Sequence, residues 1–258
     1  MGWQRQATPQ ALLKNPCLQL AEKTFKRFCE RKRIPNPSIP RLIHFIWLGS
    51  PLPCNVSERI GSWKMFHPGW KVQVWSEKEL RSFSWSNVRL KTAFEKTGSL
   101  AEKADIWRLE ILYQFGGVYS DTDVICLRSF QDLVESGLSF FGGLEMNHAR
   151  SDRKDPFYVG TAVLGAAKKC AILQSCMDLY QTKEEAPHLE LDLRAGPGLI
   201  SQACKLGLQQ FEETMLLLPC SYFYPASFEA RWTSGKNPME FVSRESFALH
   251  LWDSSWLF

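Results

Sequence analysis

The run from Ser99 to Asp123 constrains this chain more tightly than any other segment. Ser99-Leu100-Ala101-Glu102 has the form of a capping box and opens a helix. Ala101, Ala104, Ile111, Leu112 and Phe115 recur at helical spacing and predict one apolar face, so the helix reads as amphipathic. Gly116-Gly117 stops it, because glycine tolerates the backbone conformations that end helices. Val118-Tyr119 then reads as a short buried strand that delivers two carboxylates, Asp121 and Asp123, one residue apart. Asp105 and Arg108, three apart on the helix, share a face and point the same way.

The flanking sequence supplies the rest of an α/β layout. Leu42–Leu48 is a continuous apolar run bounded by Pro40 and Gly49, the signature of a strand covered on both faces. A helix is predicted near 57–66, a strand at Lys71–Trp75, and a second capping box at Ser76–Glu79. Later strands are expected near 138–144, 158–165, 215–219 and 247–252, with helices at 168–181 and from Gly196-Pro197-Gly198 through 206. Alternating elements with short connections predict a nucleotide-binding α/β fold. Gly196-Pro197-Gly198 either simply starts a helix or forms a loop against an acceptor.

A helix over 8–33 ends before Pro35-Asn36-Pro37-Ser38-Ile39-Pro40, which cannot continue it. Residues 1–38 are therefore expected to be a helical extension and linker, and 39–258 the main domain. Between Glu22 and Arg33 lie Lys23, Lys26, Arg27, Arg31, Lys32 and Arg33 against Glu22 and Glu30, an excess equal to the whole chain's +4. The segment reads as a solvated helix face, with anionic membrane or partner contact as the functional alternative. No nucleic-acid partner is expected. The eight cysteines form no C-x-x-C pair and have no histidine at zinc spacing, which argues against structural zinc and favours a reducing compartment. The N-terminus lacks the pattern of a signal peptide and no apolar run approaches membrane-spanning length, so cytoplasmic action, or secretion into a host cell as an effector, is expected.

Paired carboxylates at a strand end suit magnesium or manganese, which can neutralise a diphosphate and stabilise its departure. A D-x-D alone is common. Joined to Asp-x-x-Arg and Gly-Gly it resembles the DXD-type glycosyltransferases of GT-A fold, including fungal initiation-specific mannosyltransferases and the glucosyltransferase domains of large clostridial toxins. The resemblance spans roughly 39–256 and rests on four blocks: 39–49 (Ile-Pro-Arg-Leu-Ile-His-Phe-Ile-Trp-Leu-Gly), 104–108, 116–123, and 250–256 (His-Leu-Trp-Asp-Ser-Ser-Trp). It implies a Rossmann-type fold with a mixed central sheet flanked by helices, plus the N-terminal helix.

By the same resemblance Trp47 packs beside the nucleotide base, although core packing is its bland alternative. Asp105 and Arg108 hold sugar hydroxyls and phosphate, Tyr119 belongs to the donor site, Asp121 meets ribose or metal-bound water, and Asp123 ligates the metal. His250, Asp253 and Ser254 are metal or phosphate contacts and Trp256 a donor to the β-phosphate; for His250 a purely structural role is the alternative. Where the family often has Asn, this chain has Gly160-Thr161. The implied activity is metal-dependent (Mn2+ or Mg2+), retaining hexosyl transfer from a nucleoside-diphosphate sugar to a protein or glycan. A UDP-sugar is the expected donor, with GDP-mannose the alternative. A dehalogenase-type phosphatase lacks its later acidic motif here, and a glycoside hydrolase would leave Asp-x-x-Arg unexplained. A non-catalytic lipid- or partner-binding domain is the remaining reading.

Overall fold

The computed structural model describes residues 14–30, 39–146, 156–182, 185–186, 188–211 and 214–253. A six-stranded mixed sheet runs in the order β2-β1-β3-β6-β5-β7, from β1 (Leu42–Ile46), β2 (Lys71–Trp75), β3 (Gly117–Ser120), β5 (Phe140–Leu144), β6 (Val159–Ala166) and β7 (Met215–Leu218). β1 pairs in parallel with β2 and β3, and β5 with β7, while β6 lies antiparallel between β3 and β5. β4 (Val124–Cys126) and β8 (Ala248–His250) form a separate antiparallel pair. The longer helices are α1 (Pro16–Glu30), α2 (Cys54–Phe66), α3 (Val88–Lys96), α4 (Leu100–Phe115), α5 (Ala171–Leu179) and α6 (Pro197–Gln210). Among the described residues no helix is long and apolar enough to cross a membrane. All eight cysteines are free thiols, five of them buried.

α4 departs from the amphipathic expectation. Residues 106–112 are buried without a break, whereas Ala101, Ala104 and Phe115 are only half-buried. The helix is packed on several sides by α3, α5 and strands β1, β3 and β6. Its buried polar residues are tolerated because they are paired. Glu102 meets Arg194 at 2.9 Å and accepts from Thr97 at 2.7 Å, while Glu110 accepts from Gln114 at 2.7 Å and from the Ser86 amide. Trp107 lies fully buried among Trp75, Phe83 and Phe94 at 5.4–5.9 Å, edge-on. Such aromatic pairs each stabilise by about 0.5–1.5 kcal/mol beyond the area they bury.

The two serine caps differ from one another. Ser76 forms a complete capping box with Glu79, on a helix of one turn, Glu77–Leu80. Ser99 accepts from the Glu102 amide, but the Glu102 carboxylate turns away to Thr97 and Arg194, so only half of that box exists. α1 buries Leu18, Ala21 and Thr24 and lies against β7 and α6, covering an edge strand that would otherwise expose its backbone. Its Lys23, Lys26 and Arg27 are exposed, and residues 31–33 of the basic segment lie outside the described residues.

Gly116 and Gly117 turn α4 into β3. Both have positive φ, +63° and +103°. A Cβ on Gly117 would sit 2.4 Å from the Leu42 carbonyl oxygen, and one on Gly116 2.8 Å from Pro40 Cδ. The pair therefore serves conformation and close approach together.

Candidate functional site

β3 carries its last residues to the carboxyl end of the sheet, where the Asp121 amide bonds the Ala162 carbonyl of β6 at 2.8 Å. Open α/β sheets build their binding sites at that end. The chain then turns through Asp121–Asp123 into β4. α2 fixes β4 from outside: Trp63 donates to the Val124 carbonyl at 3.2 Å, and Ser62 Oγ accepts from the Cys126 amide at 3.0 Å.

β8 places His250 opposite Val124 in register. His250 Nε2 is 3.2 Å from Asp123 Oδ1. The Asp253 amide donates to Asp123 Oδ2 at 3.1 Å, and the Leu251 amide to the Asp123 carbonyl at 2.9 Å. Asp253 is itself held by Arg59 of α2 at 2.5 Å. Burial opposes the Asp123 carboxylate, but the charge of His250 and its hydrogen bond hold that group below the ordinary range. Burial likewise opposes the His250 imidazolium; Asp123, with Asp121 and Glu145 further off, outweighs it and holds His250 above its usual value. Trp252 adopts φ +57°, rare for a bulky side chain, and sets its ring 4.0 Å from that of His250.

Asp121, Asp123 and His250 each bring a ligand atom within 4.8 Å of the others. Two carboxylates and an imidazole gathered this closely suit a divalent cation. His250 Nδ1 is buried with no partner among the described residues, so the ring has donor or acceptor capacity that the protein leaves unused.

The Asp105–Arg108 pair is not the exposed ion pair that such spacing usually gives. Arg108 is 5% exposed and bonds Asp105 at 3.0 Å and Asp121 at 3.1 Å. It also lies 4.4 Å from the centre of the Tyr119 ring, whose hydroxyl donates to Asp121 at 2.7 Å. Burial pushes Asp105 up to about 7; Arg108 pulls it down, while Asp121, Glu102 and Asp192 add to the rise. Arg108 Nε has no partner among the described residues, a donor left over beside the two carboxylates and the phenol.

Trp47, just beyond β1, lines a crevice of about 640 Å³ with Ser50, Leu52, Val74, Ser76 and Lys78, at the carboxyl ends of β1 and β2. Its indole donates to the Ser50 carbonyl at 2.9 Å. Ser254 and Trp256 lie outside the described residues. The sequence reading missed β4 and four residues near the site, Glu145, Tyr158, Asp192 and Tyr224. A Cβ on Gly160 would lie 2.4 Å from both Glu145 Oε1 and Tyr224 Oη, so the missing side chain is replaced by these two. Tyr158 donates to Asp192 at 2.7 Å. Only the acidic and phenolic character of these residues was visible beforehand, with nothing to say which space they share.

Residues 53–139 match the family described as the glycosyltransferase sugar-binding region containing the DXD motif. Over that third of the chain the protein is similar to the DXD glycosyltransferases. It is 32% identical over 100 residues to inositol phosphoceramide mannosyltransferase 1 of Schizosaccharomyces pombe, covering 37% of this chain and 31% of that protein. An uncharacterized glycosyltransferase of Acanthamoeba polyphaga mimivirus is 30% identical over 107 residues, covering 40% and 42%. The chain thus spans about a third to two-fifths of the length of these glycosyltransferase relatives. The fold is of GT-A type: the PaToxG glycosyltransferase superposes with a TM-score of 0.53 at 20% identity, covering 75% of this chain and 80% of that one.

Proposed function

We propose that this protein transfers a hexose from a nucleoside-diphosphate sugar, with a divalent cation held by Asp121, Asp123 and His250. The observation that carries the reading is the gathering of those three ligand atoms within 4.8 Å, beside the Asp105–Arg108 ion pair. The mixed oxygen and nitrogen set favours Mn2+ over Mg2+, which prefers oxygen alone. When bound, the cation supplies charge that binds the diphosphate and stabilises it as a leaving group.

The protein's own groups do the rest. Arg108 offers its Nε–H, which has no partner among the described residues, to an anionic oxygen while fixing Asp105 and Asp121. Asp105 accepts sugar hydroxyls, and Tyr119 holds Asp121 in orientation through its phenolic proton. Trp47 presents a flat face to the base in the crevice where β1 and β2 end. A site that holds diphosphate and sugar on one side, with no carboxylate singled out as a covalent nucleophile, suits front-face attack and retention of configuration. The acceptor is a protein or glycan, reached in the cytoplasm or after delivery into a host cell. A UDP-sugar remains the first reading of the donor; a mannosyl donor such as GDP-mannose is the second, supported by the name of the Schizosaccharomyces pombe relative, a mannosyltransferase.

The test is to incubate the protein with UDP- and GDP-sugars and Mn2+, and to measure released nucleotide. Release with one donor class, abolished by EDTA and by Asp123→Asn, is expected. Full activity in EDTA or in the variant overturns the metal-dependent reading, and no turnover with any donor returns the protein to the non-catalytic alternative.

A further inference from the structure

Asp192 lies outside every motif considered so far. It sits on a four-residue helix, Leu191–Arg194, whose other end is anchored to α4. Arg194, 5% exposed, bonds Glu102 at 2.9 Å and the Leu189 carbonyl at 3.3 Å. Glu102 is three residues from Asp105 on the same helix, and residues so spaced share a face. The buried clamp therefore fixes the 191–194 turn beside the Asp105 end of the site. In keeping with this, the charge of Asp192 reaches Asp105.

The carboxylate is also held from a second direction. Tyr158, just before β6, donates its hydroxyl to Asp192 Oδ2 at 2.7 Å. The turn that follows is shaped around it: a Cβ on Gly198 would meet Asp192 Oδ2 at 3.1 Å, the Asp192 carbonyl at 3.0 Å and Leu193 Cδ2 at 2.7 Å. Asp192 and Tyr158 are half-buried, as are Asp105, Asp121 and Asp123, so these groups meet solvent rather than the core. A carboxylate braced this way, open to solvent and close to a second carboxylate, is suited to accept hydroxyl protons from a polyol.

We propose that Asp192, oriented by Tyr158 and by the Arg194–Glu102 clamp, is a specificity-determining residue that reads hydroxyls of the donor hexose alongside Asp105. This rests on the proposed use of a nucleoside-diphosphate sugar. It assigns the Gly196-Pro197-Gly198 turn a structural part, making room for Asp192, in place of acceptor contact.

The experiment is calorimetric binding in Mn2+, with UDP-glucose, UDP-N-acetylglucosamine and GDP-mannose as sugar-bearing probes and UDP and GDP as sugar-free ones. Asp192→Asn is expected to bind the wild type's preferred sugar nucleotide about tenfold more weakly, since a hydrogen bond to a charged group is lost. It should bind the corresponding free nucleotide as the wild type does. Tyr158→Phe, which keeps the ring and the charge, should show the same split with a smaller loss. It also covers the case in which Asp192→Asn fails to fold. Equal weakening of sugar-bearing and sugar-free probes, or no change in either, overturns the inference while leaving the transferase reading intact. A wild type that binds none of the five overturns both.

Discussion

His44 and His250 are both buried at strand positions, yet the protein treats them in opposite ways. His44 is satisfied at both nitrogens. Trp75 Nε1 donates to its Nδ1 at 3.0 Å, which fixes the proton on Nε2, and Nε2 donates to the Gly116 carbonyl at 2.8 Å. Burial pushes its pKa down to about 4, so the ring is neutral. His250 bonds Asp123 through Nε2 and leaves Nδ1 without a partner among the described residues. The first histidine closes a knot between β1, β2 and the end of α4. The second is assembled beside carboxylates with capacity left over, which in a native structure calls for a ligand or a strain to explain it. An unpartnered buried atom alone does not mark a site, since Trp107 Nε1 and Glu110 Oε2 in α4 are also without partners among the described residues. His250 differs in standing beside two carboxylates.

The largest effects should come from the unmet side. His250→Ala and Asp123→Asn are expected to lower transfer at least about 100-fold, the several kcal/mol a lost metal ligand removes from transition-state stabilisation. Asn keeps the acceptor for the Asp253 amide but loses the pair with His250, so the denaturant midpoint of Asp123→Asn should also fall and its activity is to be compared per folded molecule. A variant of either kind that keeps wild-type kcat would erase the distinction between the two histidines.

His44 should show the converse. Its folded pKa lies below the 6.5 of an unfolded histidine, so the unfolded chain binds the extra proton first as pH falls. The stability from neutral His44 is complete above about pH 6.5 and is lost progressively towards pH 4. A shift from 6.5 to about 4 corresponds to about 3 kcal/mol. His67, pushed down by burial and bonded to the Trp63 carbonyl and the Phe130 amide, adds in the same direction. Urea midpoints between pH 7 and 4.5 measure this, and His44→Gln should flatten the slope. An unchanged slope in that variant would remove His44 from the account.

Much of the fold was legible because its signals are local. Lys71–Trp75 emerged at its stated bounds, and Ser76–Glu79 formed its box. The Asp105, Arg108, Tyr119, Asp121 group was legible too, since its spacing is that of one helix, one turn and one strand. What the sequence concealed was pairing across long separations. α4 was misjudged as amphipathic because periodicity counts a polar residue as exposed, and Glu102, Arg108 and Glu110 are buried beside partners that the pattern cannot name. β4 was missed because three residues make no pattern without β8, whose own strand was foreseen but not its place outside the main sheet. The Arg59–Asp253 and Arg194–Glu102 pairs carried no signal in either partner's neighbourhood.

A smaller effect is expected at Trp47, where the crevice meets the base. Trp47→Ala should weaken donor binding by about 1–3 kcal/mol, the usual worth of one stacked base, while leaving Mn2+ affinity unchanged. Loss of Mn2+ affinity in that variant would mean that Trp47 supports the fold of the site and not the nucleotide.

The mildest test converts one histidine towards the other. Trp75→Phe keeps an aromatic ring against His44, Phe83 and Phe115 but removes the N–H that fixes the His44 tautomer. His44 Nδ1 then becomes a buried nitrogen with no partner, as His250 Nδ1 already is among the described residues. The cost should be about 1–2 kcal/mol in urea midpoint, the penalty for one neutral group left unsatisfied. Transfer by the folded protein should remain within about twofold of wild type, since that cost is far smaller than the loss of a metal ligand. If stability falls and activity holds, the unmet nitrogen at position 44 is simply a defect. His250, whose unpartnered nitrogen lies beside two carboxylates, would then differ from it in function, as the proposed metal site requires.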